Sequence, residues 1–211
     1  MTPLLLLLFI ALVNSEGTDN STTCDGFQSN FNMKDVIGEW HLVAVIPNKA
    51  FHKKFMVCSK MEISETDEAG LRWLINKSVE SPKKVLPKDT NGIIVRQRYH
   101  TETPFDVWSR SIEGVNGCFQ LVIALDVGQK DIHKALKHDP MMQLHLLKVK
   151  GKSEPFLLQI LWGRLISVVI FQRKQGVTLE ELAPAYDFIT NLRGPQIQPQ
   201  LCESPLRDIL I

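Results

Sequence analysis

The side chains that most often carry catalysis or bind metals occur here without the spacing that either chemistry needs. The chain has six histidines. His133 and His138 are five residues apart, which does not place two ligands on one helix face, and no His-Glu-x-x-His sequence occurs. Exposed loop histidines are therefore the plainer interpretation. The sequence predicts no metal site and no other cofactor.

Nucleophilic chemistry has equally little support from the sequence. No serine lies in a Gly-x-Ser-x-Gly sequence, the pattern of a nucleophile elbow. The four cysteines are Cys24, Cys58, Cys118 and Cys202, and no two of them have a zinc-type spacing. In a secreted chain an even number of cysteines indicates disulfide bonds, here two. The sequence alone allows three ways of pairing them.

The amino-terminal residues predict secretion. Residues 4–13 form an apolar run of ten, which is too short for a membrane span of about 20 residues. Small side chains follow this run, so residues 1–15 are interpreted as a signal peptide and Glu16 as the start of the mature protein. No later run reaches membrane length, and we expect a soluble extracellular protein. Asn20 and Asn76 begin Asn-x-Ser/Thr sequences and are candidate glycosylation sites.

The charge of the chain limits its partners. The formal net charge is +1, which gives no electrostatic basis for binding nucleic acid or an anionic membrane surface. The remaining length suits one domain with a single core.

Short apolar runs separated by turn signals predict an all-β fold. Nothing resembles a dinucleotide-binding fingerprint or a strand–helix alternation. Nine segments qualify as strands, and the segment 105–112 is either a bent continuation of its neighbour or an insertion. The nine candidate strands are 39–46, 55–64, 71–79, 92–101, 105–112, 118–125, 143–149, 156–162 and 165–172.

One helix is predicted near the carboxyl terminus. Thr178 and Glu181 have capping-box spacing, and Gly194 followed by a proline ends the segment. Pro184 lies deep for a helix start, so the regular helix is expected to begin nearer to it. The apolar face consists of Leu182, Tyr186, Ile189 and Leu192.

Three residues at the ends of the strand series carry a family resemblance. Gly38 and Trp40 form a Gly-x-Trp sequence on the first strand, and Arg173 ends the last strand just before the helix. An arginine stacked on a tryptophan is a favourable contact. This arrangement resembles the lipocalin family, in which the two residues close the bottom of the barrel. The Thr-Asp-Tyr turn that is common in the family is missing, since the matching place reads Lys-Gly-Lys-Ser-Glu-Pro over residues 150–155.

The resemblance implies an eight-stranded antiparallel up-and-down lipocalin-like barrel with one α-helix packed outside. The expected organisation is an N-terminal segment at 16–34, a barrel domain at 35–202 and a flexible tail at 203–211. It also implies a disulfide between Cys58 and Cys202, which leaves Cys24 with Cys118. One lipocalin, a prostaglandin isomerase, uses a free thiol, but the even cysteine count here favours disulfides over an enzyme.

The function that the resemblance implies is extracellular binding and transport of a small hydrophobic molecule, of the lipid, retinoid, steroid or bilin kind. A barrel of about eight strands can hold one small ligand in a mostly apolar pocket. The alternative is a secreted interaction protein with a filled barrel, whose mouth loops act on a protein partner or a cell-surface receptor. Candidate lining residues are Phe51, Trp73, Tyr99, Trp108, Phe119 and Trp162.

Three loops are expected at the open rim, at residues 48–53, 81–91 and 126–142. They contain the apolar side chains Phe51, Met141 and Met142 and eight lysines. A basic rim would favour a ligand with an anionic head, such as a fatty acid. Lysines that simply keep a loop solvated are the commoner explanation.

Overall fold

The computed structural model describes Cys24 and residues 27–47, 57–67, 69, 92–101, 104–125, 141–162 and 166–203, with the backbone alone for 122–125. Two helices and nine strands lie in these ranges. In chain order they are α1 (Met33–Val36), β1 (Gly38–Pro47), β2 (Lys60–Thr66), β3 (Ile94–His100), β4 (Phe105–Ser111), β5 (Cys118–Leu125), β6 (Met141–Leu147), β7 (Phe156–Leu161), β8 (Ile166–Gln172), α2 (Leu179–Arg193) and β9 (Gln200–Leu201).

Strands β1 to β8 form a closed antiparallel barrel. Each strand pairs with the next one along the chain, and β8 returns to pair with β1. The ring closes because β1 also pairs with β2, with Trp40 beside Met61 and Gly38 beside Ile63. The prediction of an eight-stranded up-and-down barrel is confirmed.

The pairing also resolves the excess of candidate strands. Candidate 105–112 is a barrel strand in its own right, β4, with β3 on one side and β5 on the other. Strand β2 pairs directly with β3 over seven residue pairs, from Lys60↔His100 to Thr66↔Ile94. All eight described barrel strands thus have both neighbours within the ring. Candidate 71–79 lies outside the described residues.

The closed end of the barrel is built around Trp40, which is fully buried. The indole Nε1 donates a hydrogen bond of 2.7 Å to the carbonyl oxygen of Val36, and the guanidinium carbon of Arg173 lies 3.8 Å from the ring centroid. Gly38 has φ +100°, and a Cβ there would lie 3.2 Å from Nη1 of Arg173. A glycine therefore allows both the left-handed backbone and the close approach of the arginine.

Helix α2 packs on the outside of the barrel, as predicted. Thr178 caps it through a capping box with Glu181. The helix begins at Leu179, five residues before Pro184, so the expectation that it starts nearer the proline is wrong. The capping box satisfies amide groups of the first turn, and this provides the start signal that a proline would otherwise supply.

The buried face of α2 covers the outer side of β1, β7 and β8. Leu182, Ala185 and Ile189 are fully buried against outward-facing residues such as Ile46 and Ile160. The predicted face also included Tyr186 and Leu192, which are partly buried at its margins. This outer layer is a second apolar cluster, separate from the barrel interior.

Two disulfide bonds use all four cysteines of the chain. Cys58 bonds to Cys202 with the Cα atoms 4.9 Å apart, and Cys24 bonds to Cys118 at 6.1 Å. Strand β9 pairs with β1, and Glu203 forms a parallel bridge with Val57. The Cys58–Cys202 bond therefore fixes the C-terminal segment into the barrel wall, where β2 parts from β1.

The N-terminal segment fills a second gap in the wall. Strands β5 and β6 pair only through Cys118–Gln120 and Met141–Gln143. Beyond that pairing, the amide of Leu146 donates to the carbonyl of Asn30 (2.8 Å), and the Ser29 hydroxyl donates to the carbonyl of Leu144 (2.7 Å). The described part of this segment thus runs beside β6 before it reaches the floor.

His145 is held neutral in this contact. Its Nδ1 accepts a hydrogen bond of 2.9 Å from the amide of Asn30, and its ring stacks on Phe188 of α2 at 4.5 Å between centroids. Burial lowers the pKa of His145 to about 4. A protonated ring could no longer accept at Nδ1, so protonation would break the contact between the N-terminal segment and β6.

We predict that Trp40→Ala lowers the free energy of unfolding by about 3–5 kcal/mol, the usual cost of deleting a large buried aromatic. Ile37→Ala is the matched control, because Ile37 is 43% exposed and surface changes cost about 0.5 kcal/mol or less. Urea denaturation of both variants measures the difference. A Trp40→Ala protein as stable as the wild type would contradict a structural role.

We predict that His145 makes the fold less stable in acid. The unfolded chain takes up a proton near pH 6.5, while folded His145 stays neutral until about pH 4. The contribution of neutral His145 to the free energy of unfolding is thus complete above pH 6.5. It falls by about 3 kcal/mol as the pH drops to 4. His145→Phe keeps a ring against Phe188 but cannot titrate. Its unfolding free energy should fall less between pH 7 and pH 4.5 than that of the wild type, and equal losses would contradict the assignment.

Candidate functional site

Within the described residues, the candidate site is the interior of the barrel. There, apolar side chains that point inward from the strands surround a few buried polar ones. Side chains alternate between the two faces of each strand, and the inward-facing set forms one continuous cluster with the floor. Its largest fully buried members are Trp40, Phe119, Phe171, Met61 and Met142. The closed half of the barrel is therefore filled by the protein's own side chains.

Four polar side chains interrupt this apolar interior in the described strands: Ser109, which hydrogen-bonds to the carbonyl of Val95 on the neighbouring strand, and three that contact one another. Gln97 and Tyr99 face inward from β3, and Gln159 faces them from β7. Gln159 Oε1 accepts hydrogen bonds from Gln97 Nε2 and from the Tyr99 hydroxyl, both at 3.2 Å. Gln97 and Gln159 have no solvent-exposed surface, and Tyr99 is 2% exposed. We call Gln97, Tyr99 and Gln159 the polar trio.

The polar trio is incompletely hydrogen-bonded. Gln97 Oε1 and Gln159 Nε2 have no hydrogen-bond partner among the described residues. Gln97 Nε2 also points at the sulfur of Met61, 3.2 Å away, and a thioether is a weak acceptor. An unsatisfied buried polar group costs about 1–3 kcal/mol. Apolar residues at these positions would avoid that cost, so the polar trio calls for a reason other than stability.

Tyr99 carries no charge in this setting. Its ring stacks on Phe105, with centroids 4.9 Å apart and an interplanar angle of 8°. Burial raises the pKa of the Tyr99 phenol well above its usual value, and the hydrogen bond that Tyr99 donates to Gln159 offsets only part of that effect. Tyr99 therefore remains a neutral hydroxyl at physiological pH.

Two inward-facing strand side chains are partly exposed. On β8, Phe171 is fully buried whereas Val169 is partly exposed, and on β5 Leu121 is partly exposed above buried Phe119. Val169 is the Cα partner of Gln159. Leu161 and Ile166, nearer the open end, are buried, so the polar trio lies within the packed interior beside one partly exposed position.

Only some of the predicted lining residues face the interior of the barrel. Tyr99 and Phe119 lie inside the barrel. Trp108 and Trp162 do not. Trp108 faces outward from β4 beside Arg96, and Trp162 packs in the outer cluster under α2. Phe51 and Trp73 lie outside the described residues.

The two outward tryptophans each have an arginine partner. From the sequence, we predicted such a stack only for Trp40. The Arg96 guanidinium lies 5.6 Å from the Trp108 ring centroid, and that of Arg193 lies 4.7 Å from Trp162. Arg193 also donates to the carbonyl of Leu161 at 3.0 Å. These contacts give both tryptophans a structural role on the outer surface.

The expected rim needs one further correction. Met142 is fully buried inside the barrel, and Met141 packs against the outer cluster, because both already belong to β6. Residues 48–53, 81–91 and the eight rim lysines themselves lie outside the described residues.

The described ranges offer little other chemistry. They contain no group of three His, Cys, Asp or Glu side chains arranged to hold a metal ion. Both disulfides are formed, so the four cysteines provide no free thiol in this structure. Among the described helices, none combines the length and the apolar character that a membrane crossing would need.

Gln97 and Gln159 were missed as site residues from the sequence. Gln159 had a visible signal, since it is the one polar residue in the otherwise apolar strand Phe156–Leu161. Gln97 alternates with Val95 and Tyr99, so the period of a strand puts these three on one face. Neither signal distinguishes an inward face from an outward one.

Comparison with known proteins gives a likeness of fold only. No family model matches the sequence, and no curated protein matches it. Among solved structures, the chain is similar to the siderocalin Ex-FABP, described as functioning through dual ligand specificities. The identity is 12% and the TM-score 0.48, over 82% of this chain and 97% of that chain. A likeness this distant does not indicate what the present chain binds.

The fold is defined by the chain's own strand pairing. Eight antiparallel strands close between β1 and β2, the Trp40–Arg173 stack forms the floor, and a single C-terminal helix lies outside. This is the architecture of a lipocalin barrel.

Proposed function

We propose that the protein is a secreted carrier that binds a small hydrophobic molecule inside its barrel, at the polar trio. The observation that carries the proposal is the pair of buried, unpaired amide atoms, Gln97 Oε1 and Gln159 Nε2. Binding sites are mostly apolar with a few placed polar groups, and unsatisfied buried groups concentrate at functional sites. The polar trio has this composition, and Gln159 lies beside the partly exposed Val169.

Entry of a ligand requires side chains to move, because the trio has almost no accessible surface. Met61 contacts Gln97, and Met142 lies in the same cluster. Methionine is unbranched and adapts readily to a new neighbour. We therefore expect the thioethers to make room while the aromatic floor stays fixed.

Secretion and transport form part of the same proposal. The apolar run at residues 4–13 and the two disulfides support an extracellular protein, since such bonds persist in oxidising compartments. Asn20 and Asn76 are proposed glycosylation sites. They and the apolar run lie outside the described residues.

A second candidate function is favoured by one observation. The closed half of the barrel is already filled, and its largest side chains have no exposed surface. A filled barrel would act through its loops on a protein partner or a cell-surface receptor. Binding measurements separate the two candidates, because only the carrier has a saturable internal site.

We predict that Gln159→Leu weakens ligand binding and moderately destabilises the fold. Leucine keeps a similar volume but removes the acceptor that Gln97 Nε2 and the Tyr99 hydroxyl share, so the unfolding free energy should fall by about 1–3 kcal/mol and leave the protein folded for the binding measurement. Delipidated wild type and variant would be titrated with retinol and with a fluorescent fatty acid, and tryptophan quenching followed. We expect saturable, displaceable binding to the wild type and an affinity at least about fivefold lower for the variant, from the loss of about 1 kcal/mol.

Gln120→Leu is the matched control, since Gln120 faces outward from β5 and is only partly buried. It should leave the affinity unchanged. Equal affinities of wild type and Gln159→Leu would remove the polar trio from the site. If folded wild-type protein binds neither ligand class, the interaction-protein candidate is favoured instead.

A further inference from the structure

The unpaired atoms of the polar trio are complementary to one kind of chemical group. Gln97 Oε1 can accept a hydrogen bond, and Gln159 Nε2 can donate one. Exchanging the oxygen and nitrogen of both amides also leaves one free donor and one free acceptor, which are then Gln97 Nε2 and Gln159 Oε1. The pair therefore matches a group that itself has both a donor and an acceptor.

The described part of the interior lacks a counter-charge for an anion. The inward-facing strand positions that the structure describes carry no lysine, arginine or histidine. A carboxylate moved from water into such a site would lose its hydration without an opposite charge to replace it, at a cost of several kcal/mol. The neutral Tyr99 hydroxyl and the two amides can hydrogen-bond an uncharged group without this cost.

We propose that the ligand's polar group is uncharged, carries both a donor and an acceptor, as a primary amide or an alcohol does, and binds head-inward against Gln97 and Gln159. This inference rests on the proposed function of the barrel and narrows its ligand class. It replaces the expectation of an anionic head, which depended on rim lysines outside the described residues.

The contacts of the Gln97 side-chain amide support an uncharged polar group on the ligand. Its amide nitrogen donates to Gln159 at 3.2 Å and also faces the Met61 sulfur at 3.2 Å. A ligand oxygen is a much stronger acceptor than a thioether. It can therefore replace the Met61 contact with a gain in hydrogen bonding, while the ligand's own donor binds the free carbonyl oxygen of Gln97. An alkane offers neither interaction.

The test uses four ligands with the same twelve-carbon chain: dodecanamide, dodecan-1-ol, dodecanoate and dodecane. Each competes with the neutral fluorescent probe N-phenyl-1-naphthylamine for the delipidated full-length protein at pH 7.5. We expect the amide and the alcohol to displace the probe at about tenfold lower concentrations than dodecanoate or dodecane. Dodecanoate should bind more tightly at pH 5, because protonation makes it a neutral donor and acceptor.

Two variants test whether the preference for a neutral polar group depends on Gln159. Gln159→Leu should bind all four compounds within about threefold of one another, whereas Gln120→Leu should keep the wild-type order. Equal affinity of the wild type for all four, or a preference for dodecanoate at pH 7.5, would overturn the inference while the carrier function stands. If neither the probe nor any of the four binds to folded protein, the carrier function fails and the inference with it.

Discussion

The structure depends on one contact at the closed end of the barrel, where Arg173 holds β8 to the start of β1. The guanidinium lies on the Trp40 ring and donates to the carbonyl oxygens of Asp35, Ile37 and Glu39 at 2.8–3.0 Å. A cation on an indole contributes about 0.5–2 kcal/mol, and the three hydrogen bonds satisfy one carbonyl within the four-residue helix α1 and two that follow it. Because β1 pairs with both β2 and β8, fixing its first residues closes the ring.

Packing and the polar trio make opposite demands on the barrel interior. The interior is packed with aromatic and thioether side chains, and two disulfides tie both chain ends into gaps of the wall. The polar trio lies within this packed interior and carries two unpaired amide atoms. Packing that excludes water strengthens any hydrogen bond formed there. The rigid floor thus lets the protein bear a local cost at the polar trio, which a ligand's polar group can offset.

The sequence predicted the barrel, its floor and its helix because those features depend on local signals: Gly38 and Trp40 on one strand, an arginine after the last strand, and a capping box. It did not predict which tryptophans line the interior. Trp108 and Trp162 lie in strands or at their ends, as Tyr99 does, but a period-two pattern has two faces, and only the pairing register says which one points inward. The unpaired state of Gln97 and Gln159 depends on a contact between β3 and β7. The two glutamines are 62 positions apart in the sequence.

Native mass spectrometry of the protein purified from its natural source tests the central claim most directly, because it weighs the protein together with anything bound to it. The carrier account predicts a mass excess of a few hundred daltons at 1:1 stoichiometry, lost on organic extraction while the protein stays folded. The released compound should be mostly hydrocarbon with a neutral polar group. A single mass equal to that of the processed chain and its glycans, before any extraction and at physiological concentration, would contradict it.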